Sequence, residues 1–484
     1  MHFSLIPADI NAPSLQDQVC SQLREHILKG LYVRGQRLPA SRVLAAELGV
    51  ARVTVEAAYV RLEAEGYVQR RVGAGTFVAI DVLTRFPAKP VAGQAIAGPS
   101  QRGLATQLAT RLRFDVPDQR DFSAGLPDLR VFPRELWLSL QSRIVRGPES
   151  DALMDYGDAQ GYLPLRQAIA AYLAQSRGVR CHPGQVLILS SSQQALQLLA
   201  TTLLDPGDVA WVEDPGYHGA RAAFQAAGAI LQPVGLDEEG LLWREPDGSC
   251  TLPKPRMIYV TPSHQYPLGM RMSLARRMDL LSTAQAQRAW VVEDDYDGEY
   301  QYDHKPLPAM QGLDDAGCVL YVGTFSKVLF PGLRLAYVVA PEPVMPALIA
   351  GRRACDGHSS QLQQAVTAAF ISQGHFSAHL RRMRLLYRSR RDCMLQALAP
   401  LGELLQPTGF ASGLQFAGLV QPGQEAPLTA AARRSGLALR DLHYAHLGPI
   451  TREGWLLGYA GLNHEEIRDA AGRLSRVIRG ATKR

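Results

Sequence analysis

The sequence predicts a multidomain protein, in which a small winged helix-turn-helix domain of the α+β class precedes a large α/β domain with a mainly parallel sheet. Residues 14–78 contain three helical patterns followed by two short alternating segments. Residues 81–120 are rich in Pro and Gly and show no clear period. From about residue 120 onward, short apolar runs alternate with helical patterns, which is typical of a parallel sheet covered by helices on both faces.

Length and composition agree with a chain of several folded domains. The chain has 484 residues, of which 46% are hydrophobic and 20% are charged, and a domain usually holds about 150 residues. These fractions exclude a disordered or collagen-like chain. There is no run of about 18 apolar residues and no signal-peptide pattern. The six cysteines are scattered without a C-x-x-C pair, so we expect a cytoplasmic location, no membrane contact and no bound metal.

The first helical pattern begins after Ser14, which can cap a helix, and ends at Gly30. Its apolar residues recur every four positions along one face, at Leu15, Val19, Leu23 and Ile27. A second helix is predicted over about residues 41–48 and a third over about 52–65, joined by a turn that contains Gly49. Two helices joined by a short turn with glycine are typical of a helix-turn-helix.

The segments that follow predict a two-stranded wing. Residues 67–71 and 76–78 alternate as strands on either side of Gly73-Ala74-Gly75, with two arginines near the tip. In a helix-turn-helix the second helix enters the major groove with its N-terminal residues nearest the bases. Arg52 and Thr54 lie at that end. Since any three-helix domain has surface arginines, periodicity alone leaves DNA binding and an ordinary solvated surface as equal alternatives.

Several short motifs in this region resemble the GntR-type winged helix over about residues 12–80. They are Leu38-Pro39-Ala40-Ser41-Arg42, Leu48-Gly49-Val50-Ala51-Arg52-x-Thr54-Val55 and Gly73-x-Gly75-Thr76-Phe77-Val78. The resemblance implies that Arg42 and Arg52 reach phosphates or bases of double-stranded DNA. It also implies further DNA contacts from Thr54 and from the wing residues Arg71 and Gly73.

The region between the two predicted domains is interpreted as a linker over residues 81–120, with one helical turn around 104–112. The predicted domain bounds are therefore 1–80 and 121–484. The formal net charge of the chain is +6. Residues 1–80 hold nine Lys and Arg against seven Asp and Glu, and the linker holds six against three. A charge of this size does not by itself indicate nucleic acid binding, so the DNA prediction depends on specific arginines.

The large domain is predicted to contain six strands with helices between several of them. The predicted strands cover residues 186–189, 210–213, 257–261, 290–294, 319–323 and 335–340. Helices are expected over residues 193–204, 273–287, 381–398 and 465–479. Ligands of such sheets bind beyond the carboxyl ends of the strands.

Polar residues follow three of these strands. They are Ser190-Ser191-Ser192-Gln193, Asp294-Asp295-Tyr296 and Thr324-Phe325-Ser326-Lys327, with Arg334 seven residues beyond the last. Each is ordinary on its own, as a helix cap, a loop or a surface residue. Together they fit one chemistry, because a lysine amine can form a Schiff base with an aldehyde, a carboxylate can hold a pyridinium nitrogen and a helix N-terminus can bind phosphate. This set predicts pyridoxal 5'-phosphate as the cofactor.

Longer motifs resemble the fold-type I, class I aminotransferases over about residues 120–480. They are Tyr156-Gly157-Asp158-Ala159-Gln160-Gly161, Asp214-Pro215-Gly216-Tyr217, Glu293-Asp294-Asp295-Tyr296-Asp297 and Gly323-Thr324-Phe325-Ser326-Lys327. The resemblance implies that Lys327 is the catalytic Schiff-base lysine and that Asp294 pairs with the pyridine nitrogen. It further implies that Tyr296 hydrogen-bonds the phenolic oxygen of the ring and that Tyr217 stacks on the ring face.

The same resemblance implies a binding set for the cofactor's phosphate. Its members are Ser191, Ser192, Gln193, Thr324, Ser326 and Arg334. Tyr156 is expected to reach the phosphate of the other subunit, because the sites of this family lie at a dimer interface.

Three positions depart from the aminotransferase pattern. One is Ser191 in the phosphate turn, where glycine is usual and where the backbone donors survive the change. Tyr266 stands where the family often has the Asn of an Asn-Pro-x-Gly segment, and Leu456 stands where an arginine holds the substrate carboxylate. Arg440 or Arg452 could replace that arginine, and the spacing does not decide between them. The cofactor set is therefore intact in sequence, whereas the set that recognises an amino-acid substrate is altered.

The order of the two domains resembles the MocR subfamily of GntR-type bacterial transcription regulators. The resemblance implies a cytoplasmic homodimer that binds promoter or operator DNA and senses an amine, an amino acid or a vitamin B6 compound through its pyridoxal-phosphate site. Two alternatives stay open: a catalytically active aminotransferase that carries a DNA-binding domain, and a DNA-binding protein whose large domain has lost the cofactor. Enzyme activity is left undecided, with at most partial transamination expected.

Overall fold

The chain folds into two compact units, Met1–Gly98 and Pro99–Arg484, each with its own hydrophobic core. The computed structural model describes residues 13–80, 98–104, 106, 107, 121–303 and 307–482. Most of the predicted linker 81–120 lies outside the described residues, and residues 101–104 and 106–107 within it are helical. Within the described ranges, no helix is both long and apolar enough to cross a membrane.

The small unit is a winged helix-turn-helix, which confirms the prediction from sequence. Its elements are α1 (Leu15–Leu28), α2 (Ser41–Leu48), α3 (Arg52–Ala64), β1 (Val68–Arg71) and β2 (Gly75–Val78). The hydroxyl of Ser14 accepts a hydrogen bond from the backbone N–H of Asp17 at 3.2 Å and so caps α1. Gly49 has a left-handed φ of 66°, which ends α2 and directs the chain into α3.

The wing packs on the three helices through one apolar face. Strands β1 and β2 pair antiparallel, with Val68 opposite Val78 and Arg71 opposite Gly75. Val68 and Val78 join the buried stripes of the helices in one core, together with Val19, Leu23, Ile27, Leu44, Val55, Tyr59 and Leu62. The charged residues of the wing are left on the outer face, where they can meet a partner.

The large unit is built on a seven-stranded sheet in the described part of the chain. The strands before its C-terminal region are β3 (Val186–Leu189), β4 (Val209–Glu213), β5 (Ile230–Val234), β6 (Leu236–Asp237), β7 (Gly240–Leu241), β8 (Met257–Val260), β9 (Trp290–Asp295), β10 (Val319–Thr324) and β11 (Ala336–Val339). Their order in the sheet is β3-β11-β10-β9-β8-β4-β5. All neighbours pair parallel except at β11, which runs antiparallel to β3 and β10, so the predicted mainly parallel sheet is confirmed.

Helices cover both faces of this sheet. They are α4 (Arg134–Val145), α5 (Ser150–Met154), α6 (Leu163–Ser176), α7 (Ser192–Leu203), α8 (His218–Ala226), α9 (Leu274–Gln287), α10 (Met310–Leu313), α11 (Met345–Cys355), α12 (Gln361–Ser372), α13 (His375–Leu398), α14 (Glu425–Arg434) and α15 (His464–Thr482). Successive residues of a strand point to opposite faces. Val292 therefore packs in one cluster with α7 and α8, and Val291 in another with α9. Because both faces are buried, polar residues are displaced to the strand ends.

A second, antiparallel sheet lies in the C-terminal part of the large unit. Its strands are β12 (Gln406–Thr408), β13 (Gln415–Leu419), β14 (Arg440–Asp441) and β15 (Gly454–Gly458), in the order β12-β13-β15-β14. One face belongs to the same core as α13 and α15. The other face joins a small apolar cluster with Tyr266 and Leu268, next to the carboxyl ends of the main sheet.

Candidate functional site

A cavity of about 760 Å³ opens at the carboxyl ends of the central strands. Ten of the residues that the sequence predicts to hold a cofactor line it: Ser191, Ser192, Gln193, Tyr217, Asp294, Tyr296, Thr324, Ser326, Lys327 and Arg334. They come from four different strand ends and from the start of α7. The parallel topology thus brings together side chains that are far apart along the chain.

Lys327 lies just beyond the end of β10. Its Nζ donates a hydrogen bond to the carbonyl oxygen of Gly125 at 2.7 Å. Gly125 has a left-handed φ of 66°, and a Cβ at this position would lie 2.8 Å from Lys327 Nζ. Glycine is therefore favoured here by the backbone conformation, and its lack of a Cβ leaves room for the lysine amine at this point. No sequence motif marked Gly125, because its role depends on a contact 202 positions away.

Asp294 lies near the end of β9 and is 4% exposed. Its Oδ2 accepts a hydrogen bond from the Tyr259 hydroxyl at 2.7 Å, while its Oδ1 is buried and has no hydrogen-bond partner among the described residues. Burial raises the pKa of Asp294 to about 7. A buried carboxyl oxygen without a donor fits a ligand that brings its own N–H, as a pyridinium ring does.

Tyr296 is held by a buried histidine and carboxylate. Its hydroxyl lies 3.1 Å from His264 Nδ1, and the same nitrogen lies 3.0 Å from Asp297. Burial disfavours the charged imidazole, but Asp297 more than offsets it, so the pKa of His264 is raised. The hydroxyl of Tyr217, which also lines the cavity, donates to Gln193 Oε1 at 3.4 Å. The two tyrosines are thus fixed by different partners.

The start of α7 and the segment after β10 form a set of donors for an anion. Ser191 is the N-cap of α7, and its hydroxyl accepts from the backbone N–H of Gln194 at 3.1 Å. The N–H groups of Ser192 and Gln193 lie in the first turn, where no intrahelical acceptor exists. Arg334 completes the set from the rim of the cavity. Helix N-termini of this kind bind phosphate.

Tyr156 is the one predicted cofactor residue outside this cavity. Its side chain is 93% exposed, and its ring makes an edge contact with His358 at a centroid distance of 6.2 Å. An exposed position agrees with a role toward a second subunit. That role stays a prediction.

The DNA-binding candidates share the outer surface of the small unit. Arg52 is the first residue of α3 and pairs with Glu56 at 2.8 Å, and Arg42 is exposed on α2. Thr54 is half-buried in the first turn of α3. On the wing, the Arg71 guanidinium lies 4.9 Å from the centroid of the Phe77 ring, and Gly73 has a left-handed φ of 74°. The roles of these residues in DNA binding stay predictions.

Sequence patterns missed one basic residue that lies against the wing, Arg37. Its backbone bridges to Phe77, and a Cβ on Gly75 would lie 2.6 Å from the Arg37 Nε. Gly75 therefore lets this guanidinium lie against the wing turn. Arg37 belongs to an irregular segment before α2, where no periodicity pointed to it.

Two family models match the chain. The model described as bacterial regulatory proteins, gntR family, matches residues 15–78, and the model described as aminotransferase class I and II matches residues 140–474. The protein is therefore of the class in which a gntR-type DNA-binding domain precedes an aminotransferase domain.

Proteins that are similar over nearly the whole chain define the subfamily within this class. The chain is 39% identical to the probable rhizopine catabolism regulatory protein MocR of Rhizobium meliloti, over 97% of this chain and 94% of that protein. It is 33% identical to the HTH-type transcriptional regulator TauR of Rhodobacter capsulatus, over 96% of this chain and 97% of that protein. The chain belongs to the MocR subfamily of GntR-type transcription regulators.

A solved structure supports the fold of the large unit. LysN, the α-aminoadipate aminotransferase from Thermus thermophilus, superposes with a TM-score of 0.69 at 31% identity. It covers 75% of this chain and 92% of its own. That enzyme is complexed with N-(5'-phosphopyridoxyl)-L-leucine. The fold class predicted from the sequence is thereby confirmed.

Proposed function

We propose that this protein is a pyridoxal-phosphate-dependent transcription regulator. Its small unit binds promoter or operator DNA, and its large unit senses a primary amine, an amino acid or a vitamin B6 compound through Lys327. The observation that carries the proposal is the lining of one cavity, where Lys327, the N-terminus of α7 and Asp294 meet. Within the described residues, the buried Oδ1 of Asp294 has no hydrogen-bond partner, so this cavity is built for a ligand that supplies a donor.

Each part of the cavity would hold a different part of the cofactor. The Lys327 amine lies where the aldehyde would attach, the α7 N-terminus and Arg334 would bind the phosphate, and Asp294 would accept from the ring nitrogen. When bound, pyridoxal phosphate supplies an aldehyde that condenses with primary amines and a ring that withdraws electrons. These are the properties needed to recognise an amine covalently.

The raised pKa of Asp294 bears on the protonation state of the bound cofactor. With a pKa of about 7, the buried carboxyl is partly protonated at neutral pH while its Oδ1 has no donor among the described residues. A cationic N–H placed at Oδ1 favours the carboxylate form, because an opposite charge in a buried site offsets desolvation. Asp294 would therefore keep a proton on the ring nitrogen of the cofactor.

Three similar proteins support the regulatory and sensing parts of the proposal. MocR and TauR are named as regulators, and LysN holds a phosphopyridoxyl group joined to an amino acid. We further propose a homodimer, in which the exposed Tyr156 contributes to the phosphate site of the second subunit. The altered substrate position at Leu456 favours sensing over steady transamination.

Reduction with borohydride tests the attachment at Lys327. We expect the purified protein, loaded with pyridoxal phosphate, to absorb visible light, and borohydride to fix the cofactor to the peptide that contains Lys327. A Lys327→Ala variant should show neither the attachment nor the visible band. The exposed Lys29→Ala variant, which changes the small unit, is the control and should behave like the wild type. Failure of the wild type to take up cofactor, or attachment at another lysine, would refute the proposal.

A further inference from the structure

The antiparallel sheet turns one face toward the cofactor cavity. Leu456 of β15 is paired directly with Ala417 of β13 and with Arg440 of β14. Directly opposed residues place their side chains on the same face of a sheet, and Gln415, two residues before Ala417, shares that face. Gln415 and Arg440 both line the cavity. The two strands that flank β15 therefore contribute to one wall of the site.

Leu456 contributes no charge to this wall. It is 1% exposed and packs in an apolar cluster with Tyr266, Leu268, Ala417 and Leu442. In the aminotransferase pattern that the sequence resembles, this position holds the arginine for the substrate carboxylate. The central strand of this sheet thus offers an apolar surface where those enzymes offer a cation.

Arg440 brings a cation to the same place from the adjacent strand. Its guanidinium carbon lies 5.1 Å from the centre of the Tyr444 ring, and the hydroxyls of Tyr266 and Tyr444 lie 2.6 Å apart beside it. Tyrosines rather than carboxylates are thus its neighbours among the described residues. A half-buried arginine surrounded by phenols keeps donors available for an anion, since phenols leave its positive charge uncompensated.

Gln415 is a second polar group that faces the cavity. It is 2% exposed, and its Oε1 is buried without a hydrogen-bond partner in the described part of the chain. Gly125 lies beside both this oxygen and the lysine amine. A Cβ on Gly125 would be 3.2 Å from Gln415 Oε1 and 2.8 Å from Lys327 Nζ. The amide is therefore close to the lysine amine. An unpartnered acceptor at this point fits a ligand that brings an N–H group.

Arg452, the other arginine that the sequence leaves open, lies elsewhere. It is exposed in the segment before β15 and is absent from the residues that line the cavity. The strand register places Arg440 opposite Leu456. Of the two arginines, Arg440 is therefore the one that lies beside the cavity.

We propose that Arg440 binds the carboxylate of the effector and that Gln415 lies near its amino group. The inference rests on the proposed function, and it narrows the effector to a primary amine that also carries a carboxylate. Arg440 supplies the cation missing at Leu456, with planar donors that match a carboxylate. Amines without an anionic group would reach Lys327 but lack this anchor.

Two small reagents separate the reaction at Lys327 from carboxylate binding by Arg440 in the cofactor-loaded full-length protein. Aminooxyacetate and methoxyamine carry the same nucleophilic nitrogen, and only aminooxyacetate carries a carboxylate. In both reactions the reagent nitrogen takes the place of the Lys327 nitrogen on the aldehyde carbon, and the lysine leaves as the free amine. The loss of visible absorbance gives a rate constant for each reagent, without any need for turnover.

We expect R440Q to lower the rate constant for aminooxyacetate about 10- to 100-fold, as for the loss of a charged hydrogen bond. The rate constant for methoxyamine should stay as in the wild type, which also shows that the variant is folded and loaded. R440K should restore part of the loss, and R452Q, the matched control, should resemble the wild type with both reagents.

Three outcomes would overturn this assignment. They are equal losses with both reagents in R440Q, no loss with either, and a selective loss in R452Q. A wild-type protein whose absorbance responds to neither reagent would instead refute the proposed function itself, and the Arg440 inference would fall with it.

Discussion

Asp294 is only 4% exposed, and one of its two carboxyl oxygens has no hydrogen-bond partner in the described structure. Burial raises its pKa to about 7 because the ionised form loses its hydration. An ionised carboxylate in such a buried position destabilises the fold. A cationic donor that binds beside it offsets part of this destabilisation. The same property that destabilises the cofactor-free fold therefore favours binding of a protonated ring.

The pH dependence of stability tests this property of Asp294. A carboxyl whose folded pKa of about 7 exceeds its unfolded value of about 3.9 stabilises the fold below pH 4, and this contribution is lost as the pH rises through 7. We therefore expect cofactor-free D294N to gain stability over the wild type between pH 5 and pH 8, by about 3 kcal/mol. Urea unfolding at both pH values measures the difference.

A comparison with the wild type is needed because Glu213 and Glu299 are also buried with a raised pKa of about 7. The contribution of Glu299 is common to both proteins and cancels in the difference. The contribution of Glu213 cancels except for the smallest of its causes, the charge of Asp294, since burial is the main cause of its raised pKa. The control is Asp315→Asn, because the Asp315 side chain is 89% exposed. The stability difference between this variant and the wild type should be the same at pH 5 and pH 8. A difference between D294N and wild type that stays constant from pH 5 to pH 8 would contradict the assignment.

At the scale of elements, a helix end lies at each of the two proposed binding surfaces. The start of α7 faces the cofactor cavity, and the start of α3 presents Arg52 on the surface of the small unit. Arg52 pairs with Glu56 four residues on, and both side chains are exposed. Such a surface pair adds little to stability. The arginine is therefore available to exchange Glu56 for a phosphate or a base.

Replacing Arg52 by alanine should weaken DNA binding without weakening the fold. We expect the affinity for a duplex from the upstream region of the gene to fall roughly 5- to 150-fold, as for a loss of about 1–3 kcal/mol. Fluorescence anisotropy measures this affinity. The Arg180→Ala variant removes the same charge from an exposed pair with Asp315 in the large unit, and it should bind like the wild type. An R52A protein with wild-type affinity would exclude Arg52 from the interface.

Elements with a local signal could be predicted, and elements that depend on distant partners could not. The bounds of α2 and β3 match the prediction, because apolar spacing and flanking turns mark both ends. Strand β5 was not predicted, since Pro233 interrupts its apolar run. It lies at the edge of the sheet, where a proline is tolerated.

The candidate site divides in the same way. Lys327 and Asp294 could be found from sequence, because each follows a strand within a motif of its own. The sequence did not identify Gly125 or Gln415 as residues of the site, and it did not decide between Arg440 and Arg452. These depend on the register of β13, β14 and β15 and on a contact across much of the chain, neither of which leaves a local pattern.

At the scale of the whole molecule, the gntR-type domain and the aminotransferase domain belong to different compact units, so the proposed sites for DNA and for the cofactor are separate. A regulator of this kind works only if cofactor or effector binding changes the free energy of DNA binding. By linkage, DNA must then change cofactor affinity by the same factor. The ligand must also prefer one of two states of the protein, because equal affinity for both would shift nothing.

The most direct measurement compares the DNA affinity of the protein with and without pyridoxal phosphate. Fluorescence anisotropy with a duplex from the upstream region of the gene is measured for the wild type and for Lys327→Ala at fixed salt. We expect the wild-type affinity to change about 5-fold or more when the cofactor is bound, and the affinity of the variant to be the same with and without it. A wild-type affinity that is equal in both states, or a variant that responds as the wild type does, would contradict the account.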